Sequence, residues 1–436
     1  MNRKVKIVLI GAGSARFGRG IIADILGCQQ LEKLQTTLVL VDADQTGLEL
    51  MSMFACRLKD YYQREITLEA TTNRRLALQG ASYVITSVAQ KRYYFWCQDF
   101  YLPLCFGFQH IYGENGGPGA AFHTLRSLHL VLPICQDMEE LCPDALLLNF
   151  TNPESRVCLG IHRLTRIKAA GLCHGPRTTL QQVAKILGLE EENVEITVAG
   201  LNHFHWVVSL RHKKTGEDLY PSLRKKVAEN PEFLPPLANF AFHTYGLLPF
   251  PADSHIGEYF GFAYQICGPR YGLQQLAYPP ERENSTSLSV REQIQKAVSG
   301  DEALLTKLAS PTRENAVSII TGMEFDLGQR EISVNVPNEN FSISNLPKES
   351  IVEVPARVDK EGIHPEKIGS LPEQIASLCR LQIDIQQLLI TAYAEKSKKL
   401  LLQALLLEPT VNSEKRCREM MEEFFRLQSG YLPEMS

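Results

Sequence analysis

Val5-Lys6-Ile7-Val8-Leu9-Ile10-Gly11-Ala12-Gly13-Ser14-Ala15-Arg16-Phe17-Gly18 is the stretch that decides the fold of this chain. Its first six residues read as a buried strand, and the segment after Gly18 has helical spacing at Ile21, Ile22, Ile25 and Leu26. A glycine-rich turn between a strand and a helix is the context that gives a Gly-x-Gly pair meaning. The glycines allow a tight turn and let the backbone approach a pyrophosphate, whose charge then sits at the helix N-terminus. Gly18 falls later than the third glycine of the usual spacing. Gly11, Gly13 and Ser14 are the candidate dinucleotide contacts; the alternative is a strand–helix turn that holds no nucleotide.

Working outward, Leu38-Val39-Leu40-Val41 is the next strand, and it ends at Asp42. A carboxylate there accepts ribose hydroxyls and favours NAD over NADP. Ser82 to Val88 and Ala145 to Phe150 read as later parallel strands, each ending in polar residues. Ala169 to Cys173 and Val194 to Ala199 are shorter β runs expected to continue the same pattern. The fold class is therefore α/β, a Rossmann-type doubly wound parallel sheet. Beyond Leu201 the pattern becomes mixed α+β, with a β-like stretch at Glu331 to Pro337, another at Val352 to Pro355, and strong helical spacing from Pro372 to about Leu406. The expected division is an NAD-binding domain over residues 1–200 and a second domain over 201–436 for substrate, metal and oligomer contacts.

Composition is that of an ordinary globular protein: 436 residues, 44% hydrophobic, 22% charged, with a formal net charge of -4. Slight negative charge gives no argument for nucleic acid or an anionic membrane as partner. No apolar run approaches the ~20 residues that span a bilayer, and the N-terminal residues carry no cleavable signal pattern, so a cytoplasmic location is expected. The 11 cysteines lie in apparent core segments, an odd count that favours free thiols.

Chemistry concentrates in four places. Asn149-Phe150-Thr151-Asn152-Pro153-Glu154-Ser155 closes a strand, where Asn152 can reach a ligand or simply form a turn. Tyr112 to Gly119 is a glycine-rich loop leading into a helix with Arg126, suited to covering a ligand or to being a long connection. Cys173 and His174 follow a short strand and His203 follows another, so a thiol and imidazoles emerge on one sheet edge. One thiolate and one imidazole leave a shell incomplete, which suits a catalytic ion; a buried Cys with satisfied histidines is the plainer alternative. The aromatic run Tyr93-Tyr94-Phe95-Trp96 is assigned to core packing, with an interface or a sugar site as alternatives.

Taken together, Gly-Ala-Gly-Ser at 11–14, Asp42, Asn-x-Thr-Asn-Pro at 149–153, Gly-Leu-Cys-His at 171–174, Gly-Leu-Asn-His at 200–203 and Asp253-Ser254-His255-Ile256-Gly257-Glu258-Tyr259 resemble the family 4 glycoside hydrolases, in that family's order. These enzymes are similar in fold to lactate and malate dehydrogenases, which lack the Cys-His pair; a 2-hydroxyacid-type dehydrogenase is the other reading. The resemblance implies NAD and a divalent metal, manganese, held by Cys173 and His203. It implies oxidation at sugar C3, metal-assisted loss of the C2 proton, elimination of the glycosidic oxygen and water addition, outside the two-carboxylate scheme. Tyr259 aligns with the C2 base. His174 stands where phosphoglucoside-cleaving members carry an aspartate acid, which argues against phosphorylated substrates and leaves His174 as a catalytic candidate. The Cys-His-Gly form is most similar to members acting on α-linked uronates, making α-glucuronides or α-galacturonides the expected substrates, with α-galactosides or α-glucosides as alternatives. Asn152, Asn202 and Arg92 are the candidate substrate contacts, with Lys91 and Arg270 as further cations for a uronate. Asp253, His255 and Glu258 are placed to orient Tyr259 or touch sugar. A homodimer or homotetramer and a small carbohydrate substrate are expected partners.

Overall fold

The structure, a computed structural model, describes residues 4–267, 280–312 and 314–436. Six parallel strands form its first part: β1 (Lys4–Ile10), β2 (Gln35–Val41), β3 (Thr67–Thr71), β4 (Tyr83–Thr86), β5 (Leu146–Asn149) and β6 (Ala169–Gly171). Their spatial order is β3-β2-β1-β4-β5-β6, which reverses direction between β1 and β4. Alternation along the strands explains why helices cover both faces. Val5, Ile7 and Leu9 pack with Ile21, Ile22, Ile25 and Leu26 of the helix Phe17–Gly27 on one side. Val8, Ile10, Val39, Val41, Val84 and Leu147 pack with Val131, Ile134 and Met138 of the helix Gly117–Leu141 on the other. Each such fully buried aliphatic side chain contributes roughly 1.5–3 kcal/mol.

The sheet then changes character. β7 (Val194–Leu201), β8 (Phe204–His212), β9 (Leu248–Pro249), β10 (Gln329–Pro337), β11 (Ile351–Asp359) and β12 (Gly362–Pro365) all join through antiparallel pairings. The Val194–Ala199 run therefore does not continue the parallel pattern expected of it. β10 and β11 come from late in the chain yet lie between β6 and β7, pairing Asn335 with Gly171 and Glu353 with Gly200. β7 and β8 form a hairpin in which Leu201 pairs with Phe204, so Asn202 and His203 are its two turn residues. Among the described residues no helix is long and apolar enough to cross a membrane.

At the β5–β6 edge, Glu154 opens the helix Glu154–Leu164 and is buried under Gly171. A Cβ at Gly171 would collide with the Glu154 carboxyl, and Cys158 Sγ donates to Glu154 Oε1 at 3.0 Å. Burial pushes this carboxyl up to about 8, so the folded protein keeps a proton that an unfolded glutamate, with its pKa of ~4.3, releases. The associated stabilisation is complete below the unfolded pKa and is lost as pH rises through about 8. Relative to Glu154→Gln, the wild-type protein should lose stability between about pH 5 and about pH 8, at up to ~1.4 kcal/mol per pH unit, in urea unfolding. Curves that stay parallel across that window would show Glu154 to be ionised in the fold.

Candidate active site

The glycine turn after β1 is shaped by contacts only glycine permits. Gly11 has φ +93°, and a Cβ there would collide with the Ser87 carbonyl after β4. The N–H groups of Gly11 and Ala12 donate to the Val41 carbonyl at 2.9 and 3.1 Å. Asp42, expected to face a ribose, also fixes this turn: its Oδ2 accepts the Gly13 N–H at 2.8 Å and its Oδ1 the Asp44 N–H at 2.9 Å. A groove of about 940 Å³ runs from here along the carboxyl ends of β1, β2, β4 and β5, where the strand order reverses. Gly11, Ser14, Asp42, Arg92, His123 and Asn152 all line it. Its size and position at the switch point are those of a ligand site in a doubly wound sheet.

The turn after β5 is held from within. Asn149 Oδ1 accepts the Thr86 hydroxyl at 3.0 Å and the Thr151 N–H at 3.1 Å, and Thr151 Oγ1 accepts the Val88 N–H at 3.1 Å. Ser127 Oγ donates to the Asn152 carbonyl at 2.6 Å, which fixes the Asn152 backbone at the groove wall. His123 was not singled out in the sequence. Its Nδ1 donates to the Glu114 carbonyl at 2.8 Å, and burial pushes its pKa down to about 3, so the imidazole is neutral with Nε2 left as an acceptor. Arg92 is differently placed than a free substrate cation: its Nη2 donates to Glu114 Oε1 at 2.6 Å. Lys91 Nζ donates to Tyr431 Oη at 2.6 Å, and Arg270 lies outside the described residues.

Beyond the groove, Cys173 and His174 follow β6, and His203 sits in the β7–β8 turn. Cys173 ends the β6 loop at the start of the helix Gly175–Leu187, and its Sγ accepts the Gly175 N–H at 3.4 Å. Burial and the Glu353 carboxylate push its thiol well above the usual range, while the Gly175 N–H and the Asn202 amide act the other way. His203 occupies the hairpin turn with φ +60°, a left-handed conformation uncommon for a side chain of this size and a mark of functional sites. Burial holds its imidazole neutral, and its Nδ1 has no hydrogen-bond partner among the described residues. The Asn202 amide oxygen is equally unpartnered and buried. His255 packs its ring 4.4 Å from that of His203. His174 stands at the rim, 62% exposed, with Nδ1 3.6 Å from Glu314 Oε1. Among the described residues no three His, Cys, Asp or Glu side chains are grouped to enclose an ion.

Tyr259 lies behind this corner, with its hydroxyl donating to the Asn202 carbonyl at 3.2 Å. Burial, and next the Glu258 carboxylate, hold its phenol well above the usual range. Glu258 Oε1 accepts the N–H groups of Glu114 and Asn115 at 2.5 and 2.9 Å, while its buried Oε2 has no hydrogen-bond partner among the described residues. Asp253 likewise accepts the N–H groups of Leu237 and Ala238 at 3.0 and 2.9 Å. The Tyr112–Gly119 loop is therefore buried and pinned by Glu258 rather than being a loose cover. In the aromatic run, Phe95 and Trp96 are core residues and Tyr94 is exposed.

Two residues beneath the corner were missed in the sequence. His205 is fully buried, with Nδ1 2.8 Å from Glu353 Oε2 and Nε2 3.0 Å from Thr179 Oγ1. The signal was there: a lone carboxylate in the apolar run Ile351-Val352-Glu353-Val354, and a second histidine two residues after His203.

Comparison with known proteins adds the family. The family model described as family 4 glycosyl hydrolase matches residues 6–189, and that of the family 4 glycosyl hydrolase C-terminal domain matches residues 198–411. An alpha-glucosidase of Erwinia rhapontici is 30% identical, covering 98% of each chain. An alpha-galactosidase of Bacillus subtilis is 30% identical over 98% of this chain and 99% of its own. An alpha-galacturonidase of Lachnoclostridium phytofermentans is 26% identical over 98% of this chain and 97% of its own. In fold, the chain is similar to a 6-phospho-alpha-glucosidase from gut microorganisms, crystallised with NAD and Mn2+, with a TM-score of 0.83 at 21% identity and full coverage of both chains. A malate dehydrogenase of Plasmodium falciparum follows at TM-score 0.51 and 13% identity, covering 91% of this chain and 99% of its own. With matched segments spanning nearly its whole length, this chain belongs to the family 4 glycosyl hydrolases.

Proposed function

We propose that this protein cleaves unphosphorylated α-hexosides, α-glucosides or α-galactosides, with NAD and a divalent cation, manganese, as cofactors. The observation that carries this is the Asn202–His203 turn: a buried histidine in a left-handed conformation with Nδ1 unpartnered, next to a buried amide that reaches the Cys173 sulfur and whose oxygen is unpartnered. Orphaned buried polar atoms are costly unless something binds them. The donor set of one sulfur and one imidazole fits a divalent ion that keeps open positions for substrate oxygens. The glycine turn, its helix and the groove fit a dinucleotide in the same way.

When bound, the dinucleotide would take up and return a hydride at a sugar carbon, and the cation would polarise the oxygens beside it. Cys173 and His203 would hold the cation. Asn202 would donate from its amide to a sugar oxygen, and Asn152 would position the sugar at the groove. Tyr259 would first have to release its own phenol proton, now donated to the Asn202 carbonyl, to solvent; its phenolate oxygen would then take the C2 proton, the nearby positive charge offsetting what burial and Glu258 oppose. His174, at the exposed rim, would serve the leaving group.

The sugar is argued from charge. A uronate carboxylate needs a cation, and Arg92 and Lys91 are committed to Glu114 and Tyr431. Neither is then free for a uronate, and the 30% identical relatives named alpha-glucosidase and alpha-galactosidase support a neutral sugar over the uronate expected from the Cys-His-Gly form. His174 in place of an aspartate speaks against a 6-phosphate.

With NAD, Mn2+ and a thiol reductant, nitrophenyl α-glucoside or α-galactoside should be cleaved without net NADH, and faster than the corresponding uronides and phosphoglucosides. Inactivity on all of them, or NADH accumulating one-for-one with product, would overturn the proposal; preference for a uronide would overturn its substrate half. In a separate check on the cation site, Cys173→Ala and His203→Ala should each bind Mn2+ at least about 10-fold more weakly, a loss that even outer partners can cause. The free-ion signal in electron paramagnetic resonance reads this directly, and unchanged binding in either variant would remove that residue from the site.

A further inference from the structure

We propose that Arg291, on the helix Pro280–Val298, pairs with the pyrophosphate of a dinucleotide in the groove, making this helix the outer wall of the nucleotide site; this rests on the functional reading above. Ser287, Leu288 and Arg291 recur at helical spacing and line the same groove as Gly11, Ser14 and Asp42. They come from far along the chain, where the glycine-turn motif gives no hint of them.

The helix is fixed in place from both ends of this stretch. The Tyr93 hydroxyl is hydrogen-bonded to Ser287 Oγ, which ties it to the helix Arg92–Cys105. Ile294 and Ala297 are fully buried in the main core, and just beyond the helix Glu302 forms an ion pair with Arg57. Arg291 is thus held beside the groove by packing on the next turn.

Its charge has no other use among the described residues. Arg74 and Arg92 also line the groove, but Arg74 Nε is 2.6 Å from Asp137 and Arg92 Nη2 is 2.6 Å from Glu114. Arg16 interacts with a neighbour as well. Arg291 is half-buried and makes no hydrogen bond or ion pair with another described residue. A guanidinium beside the groove with no protein anion to pair with is available to an anionic ligand. Of the parts of a dinucleotide, only the pyrophosphate is anionic, and its charge suits a planar, multidentate donor. Leu288, one turn earlier and 55% exposed, offers the groove an apolar surface next to that charge.

Titration calorimetry of wild-type protein, Arg291→Gln and Arg291→Lys with NAD+, ADP-ribose and adenosine tests this. Arg291→Gln should weaken NAD+ and ADP-ribose by about 10- to 100-fold, the value of a charge-assisted hydrogen bond, and leave adenosine unchanged. Arg291→Lys should fall between, since it keeps the charge without the fork. Wild-type affinity for NAD+ in Arg291→Gln, or an equal loss for adenosine, overturns the assignment while leaving the dinucleotide site standing. A wild-type protein that binds neither NAD+ nor ADP-ribose overturns the functional reading and this assignment together.

Discussion

One buried carboxylate sets the geometry on which the site depends. Glu353 is fully enclosed in β11 and is shared by His205 Nδ1 at 2.8 Å and the Asn335 amide at 3.3 Å. Because β11 lies between β10 and β7, those two contacts join the strand paired with Gly171, just before Cys173, to the hairpin that carries His203. His205 extends the link to Thr179, in the helix that starts beside the Cys173 sulfur. Polar groups buried in this way contribute little net stability, but leaving one unpaired costs several kcal/mol. They therefore favour one register among the many that an apolar sheet tolerates, and that register brings the end of β6 and the β7–β8 hairpin to neighbouring places in the sheet.

The dinucleotide groove is built by a complementary economy. Asp42 pins the glycine turn from β2, and Asn149 and Thr151 pin the neighbouring turn to β4. Glu258 and Glu114 draw in the Tyr112–Gly119 loop and Arg92. Charges that look like ligand contacts in the sequence are thus largely spent on holding backbone in place. What remains for ligands, on the function proposed above, is a smaller set: a neutral His123, the Asn152 and Asn202 amides, Cys173, His203 and the guanidinium of Arg291.

Five strands of the parallel half were legible because each is an apolar run with a local start and stop; β3, Thr-Leu-Glu-Ala-Thr and largely exposed, was not. The order of β10 and β11 was not, since nothing in an apolar run names its neighbours; for the same reason Val194–Ala199 was given the wrong direction. The positions of Cys173 and His203 at a strand end and a turn were legible from the runs that precede them, whereas Tyr259 was singled out only by the family resemblance. Glu258 and Asp253 were seen, but that their carboxylates serve backbone N–H groups requires knowing which loops pack on them. Arg92 shows the limit most clearly: a cation can be read from sequence, whereas its commitment to Glu114, 22 residues on, cannot.

The central claim is that the bond breaks by elimination after loss of the C2 proton, with Tyr259 beside the Cys173–His203 corner taking it. Cleaving an active α-glycoside in D2O and examining the released sugar by nuclear magnetic resonance tests this most directly. The account predicts deuterium at C2 for the wild-type protein and its loss, along with turnover, in Tyr259→Phe. Release of sugar that keeps its original hydrogen at C2 would contradict it.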